Sequence, residues 1–110
     1  MTLNIIISKN LDMRELMESS NKKNAKIFKA LCDEQRLKIL DLLKTGKMCG
    51  CELLKNVDIN QSSLSYHMKI LVESGIVESE QHGKWIHYNI SESGSLKALN
   101  ILKEITSNKE

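Results

Sequence analysis

Cys49 and Cys51 stand one glycine apart. Thiolates are the ligands that soft, thiophilic ions select, and they are also the nucleophiles of redox chemistry. With Cys32 the cysteine count is three, an odd number. A pair only two residues apart fits a reduced compartment and a metal or redox role better than a disulfide framework. The pair falls in the first turn of a short helix expected over Met48 to Asn56, where unpaired N–H groups and the positive dipole end favour the thiolate. Residues i and i+2 do not share a face of a regular helix, so one ion can hold both sulfurs only if that turn distorts or lies outside the helix. Gly50 makes such distortion easier. Cys32 falls at a joint between two helices, where a core role and a third-ligand role are both open.

The second group able to do chemistry runs from Asn60 to Ser74. Leu64, Met68, Leu71 and Val72 form one helical stripe that must be buried, while Gln61, Ser62, Ser65, Tyr66 and Lys69 lie off it as short donors, acceptors and one cation. Such a surface suits a helix entering the major groove of DNA. Gln61 and Tyr66 are the base-edge candidates; Ser62, Ser63, Ser65 and Lys69 suit phosphates. His67, beside buried Met68, fits either a phosphate contact or an internal one. Asn60 is a good N-cap, and Gly75 follows the last apolar residue, where a left-handed residue closes a helix.

These groups need elements to hold them. Leu11, Met13, Leu16 and Met17 mark an amphipathic helix within residues 1–20, preceded by the apolar Leu3, Ile5, Ile6 and Ile7, and Ser19-Ser20-Asn21 are expected to break it. A second helix over Lys22 to Leu31 turns Ala25, Phe28 and Leu31 inward. A third, capped by Asp33 and ended by Gly46, carries Leu37, Leu40 and Leu43 with Ile39 and Leu42 flanking. Its Lys38 and Lys44 read as solvated charges. The short helix and the reading helix, joined at Val57-Asp58-Ile59, make a helix-turn-helix. Ile76 to Glu80 and Trp85 to Ile90 alternate as strands around the turn Gln81-His82-Gly83-Lys84, a wing whose Lys84 should touch DNA backbone or the minor groove; His82 and His87 read as solvated or packed. A last helix, capped by Ser91 or Ser93, repeats Leu96, Leu99, Leu102 and Ile105, with Ala98 and Ile101 widening the stripe.

At 110 residues the chain suits one domain. The expected fold is α+β, mainly α: a winged helix-turn-helix of five or six helices and a two-stranded hairpin. Its parts are a helix within 1–20, the helix-turn-helix at 48–74, the wing at 76–90 and the terminal helix at 92–107. A net charge of +2 is too small for overall charge to drive binding to a polyanion, so affinity must come from local placement or a doubled surface. No apolar run reaches the roughly 20 residues of a membrane span, and no signal-peptide pattern is present, so a cytoplasmic protein without a membrane partner is expected.

Three stretches within roughly residues 24–105 resemble the ArsR/SmtB family of metal-responsive repressors. Ala30-Leu31-Cys32-Asp33-Glu34-Gln35-Arg36-Leu37-Lys38-Ile39-Leu40 is similar to the core-helix signature, Gln61 to Leu71 to the recognition helix, and Gly83 to Tyr88 to the wing of arsenical repressors. Met48-Cys49-Gly50-Cys51-Glu52-Leu53 resembles the Cys-x-Cys box of the arsenic, antimony, cadmium and lead sensors. The resemblance implies a homodimeric repressor, paired through its N- and C-terminal helices, that binds two-fold operator DNA without a cofactor. It would be released when trivalent arsenic or antimony, or another thiophilic ion, binds Cys49 and Cys51, with Cys32 as the further candidate ligand. Where the arsenical box often has a third cysteine, this chain has Leu54. Residues 1–20 lack the cysteines of the cadmium and lead sensors, and residues 92–107 lack the His and Asp of the zinc sensors. A redox or reactive-sulfur sensor, switched by a bond between Cys32 and one of the pair, is the alternative. An enzyme is disfavoured, because no catalytic constellation surrounds the cysteines in sequence.

Overall fold

The computed structural model describes residues 13–108. In chain order the elements are α1 (Met13–Ala30), α2 (Glu34–Leu43), β1 (Met48–Cys49), α3 (Gly50–Asn56), α4 (Gln61–Ser74), β2 (Val77–His82), β3 (Trp85–Ile90) and α5 (Glu92–Ile105). The three strands form one antiparallel sheet in the order β1-β3-β2. The result is a winged helix-turn-helix, with α3 and α4 as the helical pair and β2 and β3 as the wing. Among the described residues no helix is long and apolar enough to cross a membrane. The terminal apolar residues Leu3, Ile5, Ile6, Ile7 and Leu11 lie outside the described residues.

Two elements differ from expectation. Ser19, Ser20 and Asn21 do not break a helix; they are exposed mid-helix residues of α1. Each loses only a few tenths of a kcal/mol of helix propensity, which packing of α1 on α4 overrides. Met48 and Cys49 are not helical but form β1, pairing with Tyr88 and His87 of β3, so the wing is part of a three-stranded sheet.

Buried faces are also shifted by a residue or two. In α1, Ile27 and Ala30 are buried, while Ala25 is exposed and Phe28 half-buried. In α2 the buried set is Arg36, Ile39 and Leu43, and Leu37 points outward. Arg36 claims the inward position because its partners lie inside. On α4 three of the four stripe residues, Leu64, Met68 and Leu71, are buried, and the fourth, Val72, is half-buried against the core. The α5 residues Leu96, Leu99, Leu102 and Ile105 are exposed, as are Met13 and Met17 of α1, while Ala98 and Ile101 pack on the core. Both terminal helices therefore carry an apolar face that the described residues leave uncovered.

The joint between α4, β2 and α5 is tight. Gly75 takes φ +86° as the left-handed residue closing α4. The Ser91 N–H donates to the Ile76 carbonyl at 2.8 Å, and the Ser91 hydroxyl, rather than Ser93, caps α5 by accepting from Gly94 N–H at 3.0 Å. Gly94 lies so close to Gly75 that a Cβ on it would overlap the Gly75 carbonyl.

Asp33 caps α2, accepting from the N–H groups of Gln35 at 2.8 Å and Arg36 at 3.2 Å. Partial burial pushes its pKa up, but these N–H groups and the Arg36 charge outweigh it and hold the carboxyl below its ordinary value. The sign follows: a depressed folded pKa adds stability above the unfolded value, and that stability is lost as pH falls through the folded one. Asp33→Ala is expected to cost about 1 kcal/mol at neutral pH in urea unfolding. Asp33→Asn should keep the cap but lose the acid-range dependence expected of the parent from its depressed Asp33 pKa.

Candidate functional site

The thiol pair stands where the strand β1 turns into α3. Cys49 has extended backbone, φ −77° and ψ 159°, and is the N-cap of α3, outside the helix, whereas Cys51 lies inside its first turn. This difference lets sulfurs from i and i+2 meet. The two cysteines are joined as a disulfide, with Cα atoms 5.4 Å apart. Cys49 is buried and Cys51 exposed. The Cys49 sulfur accepts from the Glu52 N–H at 3.4 Å, and the Glu52 carboxylate accepts from the Cys49 N–H at 3.3 Å, closing a capping box with sulfur in the usual place of a hydroxyl. Cys32 is a free, exposed thiol, so a core role does not apply to it. Among the described residues no three His, Cys, Asp or Glu side chains converge to hold a metal ion, so within one chain Cys32 does not complete a three-ligand set.

From α3 the chain reaches α4 across Val57 to Asn60. Asn60 caps α4 by accepting from the Ser63 N–H at 2.8 Å and from the Ser62 hydroxyl at 3.0 Å. Gln61, Ser62, Ser65, Tyr66 and Lys69 are exposed, and Ser63 and His67 are half-buried. Gln61 and Ser65 flank a cavity between α4 and the wing, across from Lys84, whose ammonium lies 5.8 Å from the centre of the exposed Trp85 ring. Lys84 and the α4 face thus border one surface. On the outer face of the wing, Glu80 accepts from Lys47 at 3.4 Å and pairs with His82 at 3.0 Å, and these partners hold its carboxyl below the ordinary value.

Arg36 is the hub behind this surface. It is only 5% exposed. Its Nε donates to the Ala30 carbonyl at 2.8 Å and its Nη2 to the Lys29 carbonyl at 3.0 Å, which also accepts from the Cys32 N–H at 3.1 Å, so the guanidinium ties α2 to the end of α1. Its Nη1 meets His67 Nδ1 of α4 at 2.9 Å. A guanidinium has no acceptor, so Nδ1 accepts and the imidazole carries its hydrogen on Nε2. His67 is therefore engaged internally through one nitrogen, and the other keeps a donor.

A family model described as "Bacterial regulatory protein, arsR family" matches residues 33–79, which run from the α2 cap through the helix-turn-helix into β2. The arsenical resistance operon repressor of Staphylococcus xylosus is 40% identical over 72 residues, 66% of this chain and 69% of that protein. The chain belongs to the ArsR family. The arsenical resistance operon repressor of Bacillus subtilis (strain 168) is 41% identical over 66 residues, 59% of this chain, and the match spans 63% of that protein, under two thirds of its length. The solved structure of an ArsR-like transcriptional regulator from Rhodococcus sp. RHA1 superposes with a TM-score of 0.69 at 26% identity, covering 79% of this chain and 82% of that one. The ArsR family is one of transcriptional regulators, not enzymes.

In this ArsR-family chain the structure brings Cys49 and Cys51 together and gathers Gln61, Ser62, Ser65, Tyr66, Lys69 and Lys84 on the exposed side of α4 and the wing. Two residues were missed. Arg36 sits one turn before Ile39 on the face that also holds Leu43, a spacing that marks a charge directed into the core. Glu52 follows Cys49 by three residues, the spacing of a capping box read with cysteine for serine.

Proposed function

We propose that this protein is a homodimeric repressor whose α4 helices and wings bind two half-sites of operator DNA. The reduced Cys49–Cys51 pair captures trivalent arsenic or antimony and thereby releases the operator. The observation that carries the reading is the meeting of two sulfurs at the start of α3, the short helix that four residues of chain join to the recognition helix. Capture at that point reshapes the start of α3 and so the seating of α4, and the ion and the DNA favour different conformations. The matched repressors of arsenical resistance support the inducer class. The uncovered apolar faces of α1 and α5 supply the two-fold contact. Gln61 and Tyr66 read base edges; Ser62, Ser63, Ser65, Lys69, Lys84 and the Nε2 of His67 hold phosphates.

The test is fluorescence anisotropy of operator DNA with the reduced protein, titrated with arsenite and antimonite. The parent should lose roughly tenfold to a hundredfold in affinity, an ordinary coupling between two sites. Cys49→Ser and Cys51→Ser should bind DNA and show no response, and Cys32→Ser reads out whether that thiol joins from the second subunit. Release of DNA from the Cys49 and Cys51 variants at the parent's arsenite concentration would sink the proposal.

The disulfide favours a second reading, a thiol redox switch, with the bond between Cys49 and Cys51 rather than from Cys32 to one of them. Peroxide or persulfide would then release the operator, Cys32→Ser would respond like the parent, and arsenite would leave the complex intact.

A further inference from the structure

We propose that α1 carries a second DNA-backbone contact: Lys26 and Lys29 hold the phosphodiester strand that runs along α4 on the side away from the wing. This contact rests on the operator-binding reading above and is independent of the thiol pair. A helix lying in the major groove, about 12 Å wide, has a phosphodiester strand on each side of it. The wing reaches only one of them. Gln61 and Ser65 border the wing cavity together with Lys84, whereas Ile70 borders the groove between α4 and α1. Ile70 follows Gln61 by nine residues, two and a half turns at about 3.6 residues per turn, so the wing and α1 flank opposite sides of α4. Ser62, Tyr66 and Lys69 are exposed between the two flanks.

Lys26 and Lys29 are exposed and border the α1 groove, with Ile70, Glu73 and Ser74 across it. Their place relative to α4 is fixed. The Arg36 guanidinium donates to the Lys29 carbonyl at 3.0 Å and to His67 Nδ1 at 2.9 Å, so one rigid fork sets the last turn of α1 against the recognition helix. Glu73 stands toward the C-terminal end of α4 and Lys29 toward the His67 end, so phosphate is favoured at Lys29. Both lysines also stay exposed in the proposed dimer. Lys26 follows Met17 by nine residues and Lys29 follows Met13 by sixteen, each close to a half-integral number of turns, so they lie opposite the uncovered apolar face of α1. At a net charge of +2, such local placement is what affinity for a polyanion requires. Lys22, one turn earlier on the same face, instead borders a pocket with Glu15 and Glu18, whose carboxylates offset its charge.

Counterion release supplies the test. Each phosphate contact steepens the fall of log K with log salt by about 0.9, so two lysines on each of two protomers contribute about 3 to 4 to the slope. The probe is a fluorescent duplex that the reduced parent selects from a random-sequence pool, and its anisotropy is followed between about 50 and 200 mM salt. Lys26→Gln combined with Lys29→Gln should lose that part of the slope. Lys26→Arg combined with Lys29→Arg should keep it, and Lys22→Gln should match the parent. Thermal unfolding and sedimentation confirm that the variants fold and associate as the parent does. An unchanged slope in the glutamine pair, or an equal loss per lysine in Lys22→Gln, would overturn the α1 contact. A pool from which the parent enriches no sequence would instead overturn the operator reading itself.

Discussion

Arg36→Met is expected to cost about 3 kcal/mol of folding stability, because it removes a buried cation that donates to three acceptors at once, leaves those acceptors behind and takes the positive charge from beside Asp33. The Lys29 and Ala30 carbonyls would lose their side-chain donor at the end of α1, and His67 Nδ1 would face an apolar methionine. Arg36→Lys should recover little, since one ammonium cannot present three donors in the directions that the guanidinium fork does. Urea unfolding at a fixed protein concentration checks this, and in thermal unfolding Tm should fall by roughly 10–20 °C for a domain of this size. His67→Asn is the control. Its side-chain oxygen can still accept from Arg36, so stability should stay within about 1 kcal/mol of the parent, while under the proposed function operator affinity falls because the amide's N–H group does not reach the place of the ring's Nε2. Equal stability of Arg36→Met and the parent would remove Arg36 from its place as hub.

Gly94→Ala should be more harmful than Gly75→Ala, although Gly75 is the residue with the positive φ. An alanine at 75 would meet open space and carry only the strain of a left-handed backbone, on the order of 1 kcal/mol. At 94 the added methyl would strike the Gly75 carbonyl, a backbone atom fixed by the α4 cap, and Ser91 ties the same joint to the Ile76 carbonyl. Alanine's better helix propensity returns only about 1 kcal/mol, while overpacking against immovable backbone costs about 2–4 kcal/mol, so the net effect is loss. Thermal unfolding of the two single variants decides the order. In the proposed dimer the substitution would also tilt α5 against α4 and so change the spacing of the two reading heads; operators lengthened or shortened by one base pair would report it.

The helix-turn-helix was legible because its signals are local. Asn60 and Gly75 bound α4, and the Leu64, Met68, Leu71 stripe is strong enough that tertiary context agrees with it. β1 was not legible, since two residues cannot display a period and Met48 and Cys49 owe their strand to partners almost forty residues on. The unbroken α1 was hidden for a different reason: Ser19, Ser20 and Asn21 are weak breakers, and what overrides them is packing on a helix remote in sequence. The thiol pair itself was plain, but the way it closes was not. Two residues apart on a helix the sulfurs diverge, and only placing Cys49 outside the helix, as its cap, brings them together. The expected Leu43 and its flanking Ile39 are buried, but the inward Leu37 expected for α2 gave way to Arg36, because a polar hub outcompeted a leucine for the buried face.

That Cys49 both brackets α3 and forms half of the sulfur pair has an evolutionary consequence. A serine there would bracket the helix better than sulfur does, so in the proposed repressor replacing this thiol by drift would yield not a broken regulator but one stuck in its gripping posture, with the downstream genes permanently silent. Selection that preserves responsiveness must therefore work against the more stable alternative at this position. Lineages freed from the need to respond should be found with serine or threonine at 49, their folds intact.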